Sequence, residues 1–484
     1  MIPIRQIQAN LLVPGQYQEV DNSLAGTQED IKKVLLIGYK TSAGSATEGV
    51  PVQVGTDTQA AALCGSGSDA ALMAAAFLAI NKVEQLWILP LAEPASGTKW
   101  SIAITITGTA TEAGTIDLSI NGTALSIGVS SGDSAASIAA ALGAGINSET
   151  TLSVEAAATD AVVTISALVK GVLGNHNSVS ISAQAAGVSV STGTPTSGTG
   201  TVDISDALAA LGEVRYHYLA LAFDDTANSN KVAAELESRY GAMRQIGGRA
   251  FIALSGALGS ASTSGSLLSQ AQGINNPHIL LIPRGNNPGL PCVWAAAWCA
   301  AACRILADDP AANTYDTQVN GIIAEMEFAI NDRQRLLEAG IATYRRDTAG
   351  TVLIERLVTS YTENSDGARD TSYLDVQVVE TVDAVRTYIN REARKRFKTW
   401  KLSSTGENFG SSAKVMSTGV FRSFLAELYS EVFIKEKQWC QDFEQYLKSI
   451  RVEVKAGSKT RLEYSHEPML IGQFYIGTGL LQFK

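Results

Sequence analysis

The sequence predicts an α/β core built on a helix-covered, largely parallel sheet. To this it adds an inserted all-β domain, an α+β C-terminal domain and extended arms at both ends. Three observations carry the prediction. Short apolar runs alternate with helix-length segments on either side of residues 96–202, as parallel β–α units require. Residues 96–202 themselves are rich in Ser, Thr, Gly and Ala, with two lysines, no arginine and six acidic residues. Both ends of the chain are apolar and strand-like, where termini are usually polar and frayed.

Taken in order, residues 1–28 form an expected N-terminal arm, with Leu11, Leu12, Val13 and Tyr17 placed around Pro14-Gly15. The core is expected at 29–95 and 203–340. KVLLIGY (33–39) and QLWILP (85–90) read as strands around the Ala-rich helix 69–81. The rhythm resumes with helix 204–211, strand 217–223, helix 229–240, strands 249–255 and 278–283, and a helix from Pro291 to about Ala307. In the insertion, short alternating runs are separated by Gly or Asn turns, with one helix at 134–146 behind the cap Asp133. The expected C-terminal domain, 341–467, has a hairpin around 347–350, long helices at 376–400 and 417–442, and a second hairpin around Ala456-Gly457. Residues 468–484 form the second arm, carrying Phe474, Tyr475, Ile476, Leu480, Leu481 and Phe483.

With 45% hydrophobic and 17% charged residues, the chain reads as globular, and a net charge of −10 argues against general nucleic-acid binding. No start of signal-peptide type and no apolar run long enough for a bilayer are present, so a soluble protein kept in a cytoplasm-like compartment is expected. Five cysteines, at 64, 292, 299, 303 and 440, do not form a disulfide pattern. Cys292, Cys299 and Cys303 share a helix face, and a metal would need His278 as well; substitution of small core residues is the plainer reading.

Catalytic motifs are decoys. Gly65-Ser-Gly67 follows a helix-like segment rather than the strand a dinucleotide site needs. Gly128-Val-Ser-Ser-Gly132 matches a nucleophile elbow but lies in the Ser/Gly-rich insertion, where Asp133 and Ser134 are better read as caps. His217 and His278 lie inside apolar strands. No cofactor, metal or catalytic site is expected, and the chain reads as a structural protein rather than an enzyme. One charged feature stands apart: between 386 and 401, Val385, Ile389, Ala393, Phe397 and Trp400 make an apolar stripe, with Arg391, Arg394, Lys395 and Lys398 roughly opposite. Such a face suits either solvent or an acidic partner.

Several segments together resemble the contractile tail sheath proteins of Mu-like bacteriophages. They are LLVPGQYQEVDNS (11–23), VLLIGY (34–39), the segment 50–91, SIGVSSGDSAASIAAALGAGIN (126–147) and VRTYINREARKRFKTWKL (385–402). The ending YIGTGLLQFK departs from the family's polar-flanked terminus. The resemblance implies stacked hexameric rings of sheath subunits wound around a tail tube protein, with baseplate and tail terminator proteins as further partners. It implies contraction that drives the tube through the host envelope for genome ejection. It also implies that both arms donate strands to neighbouring subunits. Arg391, Arg394, Lys395 and Lys398, then Lys414 and Arg422 near the second long helix, are the expected tube contacts. Membrane insertion and nucleic-acid binding are not expected. The alternatives are a surface adhesin or filament subunit, and a cytoplasmic α/β enzyme with an unrecognised site.

Overall fold

The computed structural model describes residues 31–403 and 414–483. The chain enters its principal sheet with β1 (Lys33–Tyr39), followed by β2 (Val52–Val54), α1 (Asp57–Cys64), α2 (Asp69–Ile80) and β3 (Gln85–Leu91). Helix α2 starts where Ser68 caps the backbone N–H of Ala71, and it packs so close to β1 that a Cβ on Gly38 would sit 3.1 Å from the Ala70 nitrogen. Gly65 and Gly67 form the turn between the two helices, in left-handed or otherwise positive-φ conformations.

The insertion comprises β4 (Ser101–Gly108), β5 (Gly114–Ile120), β6 (Thr123–Val129), α3 (Ala135–Ser148), β7 (Val154–Thr159), β8 (Val162–Ala167), β9 (Val179–Ala183) and β10 (Val188–Thr192). Two antiparallel sheets, ordered β10-β4-β8-β7 and β6-β5-β9, enclose a hydrophobic cluster of their own. This part is not all-β: α3 buries Ile138, Leu142 and Ile146 in that cluster, so the helix is part of the core rather than an ornament. Its cap is Ser134, which accepts from the N–H of Ser137, while Asp133 accepts from the N–H of Ser130. Ser130 and Ser131, the would-be nucleophiles, lie on an exposed turn.

The first layer resumes with α4 (Ser205–Ala209), β11 (Tyr218–Leu221), α5 (Thr226–Tyr240), β12 (Arg249–Ser255), α6 (Leu267–Ala271), β13 (Ile279–Gly285) and α7 (Pro291–Leu306). The six strands run β13-β12-β11-β1-β3-β2, parallel except for β2. The central strands are buried on both faces, which is why they read as unbroken apolar runs. Next come β14 (Thr317–Ile323), α8 (Ile330–Glu338), β15 (Thr343–Arg346) and β16 (Thr351–Arg356), which make a three-stranded antiparallel sheet. Tyr344, Val352 and Ile354 pack into the same large cluster as the parallel sheet.

A third cluster gathers α9 (Val376–Phe397), the two-residue pairing of β17 (Lys401–Leu402) with β18 (Val415–Met416), α10 (Thr418–Glu427), α11 (Phe443–Ser449), β19 (Arg451–Val454) and β20 (Leu462–Ser465). The expected single helix 417–442 instead ends at Glu436. α10 passes into wider π turns over Leu428–Glu436, the chain reverses with Gln438 and Asp442 at positive φ, and α11 follows. The stripe Val385, Ile389, Ala393, Phe397 and Trp400 does face this cluster.

Open α/β sheets take ligands outside the carboxyl ends of their strands, where the strand order reverses. Here that place lies between β1 and β11, and the insertion occupies it. His176, in the short 3₁₀ turn Val172–His176, pairs with Asp224 beyond β11 at 3.1 Å. Beneath them Asp69 is buried with one carboxylate oxygen unpartnered. Burial pushes its carboxyl up to about 6, against opposing contributions from His176 and Cys292. A folded-state value above the unfolded one weakens the fold as pH rises through 6, an effect that vanishes below the unfolded value. Asp69→Asn is therefore expected to stabilise by up to about 3 kcal/mol at pH 8 and to be neutral near pH 3.5, as measured by urea unfolding. Equal gains at both pH values would refute this.

Candidate assembly surfaces

Two surfaces have the character of interfaces: the basic end of α9 and the C-terminal arm. The first half of α9 is fixed to the core by buried ion pairs. Arg249, fully buried at the start of β12, donates to the Gly248 carbonyl at 2.6 Å, meets His278 Nδ1 at 3.0 Å and pairs with Glu380 at 3.2 Å. Asp383 accepts from Arg215 and, at 2.8 Å, from Arg386. Burial pushes the Glu380 carboxyl up, opposed mainly by Arg249. Burial acts the same way on Asp383, but Arg215, Arg249 and Arg386 together hold it below the usual carboxylate range.

Beyond this junction α9 turns basic. Arg391, Arg394, Lys395 and Lys398 are all exposed. Arg391 lies over the Tyr388 ring at 4.5 Å and is 3.7 Å from Glu392. Arg391 and Arg394 line a hollow of about 490 Å³ together with Arg215, Arg244 and Arg386. Lys395 and Lys398 are not in its lining. Lys414 is exposed beside β18, and Arg422 on α10 donates to the Leu447 carbonyl at 2.9 Å. The sequence reading missed Arg215 and Arg244 because they lie far upstream of α9 and join the hollow only through the fold.

The arm residues Leu11, Leu12, Val13 and Tyr17 lie outside the described residues. In the C-terminal arm, Phe474, Ile476, Leu480, Leu481 and Phe483 are between 75% and 94% exposed, an apolar display that a soluble surface does not sustain without a partner. Of the six residues named from the sequence in this arm, Tyr475 is the half-buried one, against its own subunit. Nearby, β19 and β20 pair only with each other, so both outer edges are open among the described residues.

The expected decoys have structural roles. His278 is held by Arg249 and by Glu237 at 3.4 Å, and His217 Nδ1 accepts from the Lys33 N–H at 3.1 Å. Burial lowers the pKa of both. Cys292, Cys299 and Cys303 are buried in α7, and Cys303 faces the Asn81 amide at 3.2 Å. Among the described residues no group of three or more His, Cys, Asp or Glu is arranged to hold a metal, and no helix is long and apolar enough to cross a membrane.

One basic and one apolar, these two exposed surfaces have the character of contacts made with other protein chains. Residues 197–360 match the phage tail sheath protein central domain. The whole chain aligns with the Mu-like prophage FluMu tail sheath protein of Haemophilus influenzae, 30% identical over 491 residues, covering 100% of this chain and 99% of that one. This chain belongs to the phage tail sheath family, in its Mu-like branch. It is a structural protein, not an enzyme. Solved structures with some likeness include a sheath tail protein of Desulfitobacterium hafniense, 11% identical with TM-score 0.47, covering 95% of this chain and 100% of that one. Another is the contracted helical sheath of the anti-feeding prophage, 11% identical with TM-score 0.46, covering 98% and 99%.

Proposed function

We propose that the chain is the repeating subunit of a contractile tail sheath. It polymerises as stacked hexameric rings around a tail tube, and it contracts from a metastable extended lattice to drive the tube through a host envelope for genome ejection. The observation that carries this reading is the pairing, within one chain, of an exposed apolar arm with a two-stranded sheet whose edges are open. A two-stranded sheet is marginal alone and gains from added strands. Arms donated from neighbouring copies would supply them, residue 11–17 segments and residue 476–483 segments alike. The contact joins unlike surfaces, so it propagates from copy to copy instead of closing on a pair.

In this reading residues 96–202 form an outer domain, 29–95 and 203–340 the sheath core, and 341–467 the tube-proximal domain between arms 1–28 and 468–484. Partners are other sheath subunits, the tail tube protein, and baseplate and terminator proteins. The particle is a virion tail assembled in the host cytoplasm. With no nucleotide site in the reading, contraction runs downhill between two lattices of the same subunits. The test is co-expression with the cognate tube protein and electron microscopy of the product. Striated tubes that shorten on acid or denaturant treatment support the reading, and monodisperse monomers at high concentration refute it.

The basic end of α9 is the proposed tube contact. Reversing Arg391 and Arg394 to glutamate is expected to reduce tube co-sedimentation at least tenfold and to leave thermal unfolding unchanged, with high salt mimicking the effect on the wild type. Unchanged co-sedimentation would move the tube contact elsewhere, to Lys414 and Arg422 first.

A further inference from the structure

The C-terminal arm is bonded to its own subunit as far as one residue. Its root is bound stepwise to its own subunit: Gln441 N–H donates to the Met469 carbonyl at 2.8 Å, and Ile471 N–H donates to the Trp439 carbonyl at 3.0 Å. Gln473 Nε2 then donates to the Ala311 carbonyl at 3.0 Å, and Asn313 Nδ2 to the Phe474 carbonyl at 3.1 Å. At Tyr475 the chain turns its side chain inward. The ring lies beneath the Arg356 guanidinium, 4.9 Å from its centroid, and the hydroxyl accepts from Gln377 Nε2 at 3.1 Å.

This seat is built. Gln377 and Thr314 are fully buried, and Gln377 also donates to the Ala312 carbonyl at 3.2 Å. Arg356 is aimed by two bonds to Asp375, at 2.9 and 3.0 Å, and Asp375 directly precedes α9. The cation over the ring and the amide on the hydroxyl select a phenol over other side chains. Burial pushes the Tyr475 hydroxyl up to about 12, so it stays neutral beside Asp375 through the physiological range. Past Tyr475 the contacts stop: residues 476–483 make no hydrogen bond, ion pair or ring contact with the other described residues. Gly477 and Gly479 follow at once.

We propose that Tyr475 is a fixed anchor kept by its own subunit, dividing the arm into a retained root, 468–475, and a donated strand that begins at 476. This rests on the strand-donation reading above. Gly477 and Gly479 are then the swivel, and the anchor sets the reach. Eight extended residues span roughly 26 Å, so the sheet edge that receives the strand lies within that distance of the Arg356–Gln377 seat in every lattice the sheath adopts. The anchor also keeps α9, the core and the arm's origin moving together, because its seat is made from both.

The test joins the root to its seat covalently. Ala311→Cys and Gln473→Cys in the full chain, bridged by a short bismaleimide, are compared with the same double variant unbridged; the five native thiols are buried. The expected result is that bridged subunits assemble as unbridged ones do, and that tubes bridged after assembly run as single chains on a denaturing gel. A ladder of linked chains overturns the proposal, because the seat would then hold a neighbour's tyrosine. Bridged subunits that fail to assemble where unbridged ones succeed also overturn it, because the root would have to release. Amide exchange on the free subunit reads the anchor without any assembly. Tyr475→Ala should speed exchange of the hydrogen-bonded Ile471 amide at least tenfold, and Tyr475→Phe should speed it less. Equal rates in wild type and Tyr475→Ala refute the anchor, while slow exchange in a wild type that never forms tubes refutes the sheath reading alone.

Discussion

A chain ending at Tyr475 is expected to fold as the full chain does and to form no tubes. Residues 476–483 are exposed and make no hydrogen bond, ion pair or ring contact with the other described residues, so their loss costs the isolated subunit little. In a lattice each donated strand would make about six backbone hydrogen bonds, each worth roughly 1 kcal/mol net. Losing roughly 6 kcal/mol per contact weakens association by more than about ten-thousandfold. Thermal unfolding and negative-stain microscopy measure the two halves of the expectation separately. Tubes of normal length from the truncated chain would remove this arm from the assembly mechanism. A large drop in the unfolding midpoint would instead show that the segment belongs to the subunit's own core.

The second large effect is expected at Arg249. This guanidinium is buried between β12 and α9, and removing it as Arg249→Met takes from the largely covered Glu380 carboxylate, beside Asp383, its main cationic partner. Breaking one side of such a pair costs about 3–5 kcal/mol, whereas replacing both sides with apolar groups is close to neutral. Urea unfolding should therefore show a large loss for Arg249→Met and recovery of most of it in Arg249→Met with Glu380→Leu. A single variant that costs under about 1 kcal/mol, or a double variant worse than the single, would show that the junction is held by packing instead.

Much of the core was legible because its strands are buried on both faces. KVLLIGY and RAFIALS carry that burial as plain apolar runs, and the Ala- and Trp-rich stretch after Pro291 has the length of a helix. The strand Thr317–Ile323 was missed for a physical reason. Asn320-Gly321 reads as a turn, and the pairing with β16 does break there, with Gly321 at positive φ. The helix 417–442 was drawn too long because Phe421, Leu425, Leu428, Tyr429 and Phe433 keep an apolar rhythm through the change to π turns. The basic face of α9 could be read from local spacing, but its hollow could not: Arg215 and Arg244 arrive from another layer. The Tyr475 seat was equally invisible, since Thr314, Arg356 and Gln377 lie 98 or more residues before it.

The insertion meets the core through His176 and Asp224, at the end of the parallel sheet where a related architecture would hold a small molecule. A piece of the chain itself closes that doorway. With the insertion seated there, a metabolite has no seat at that position from which to tune the proposed subunit. In the proposed sheath, control over when the tail fires would then fall to the ends of the polymer, where other proteins would touch it, and not to a small molecule held at that place in each brick.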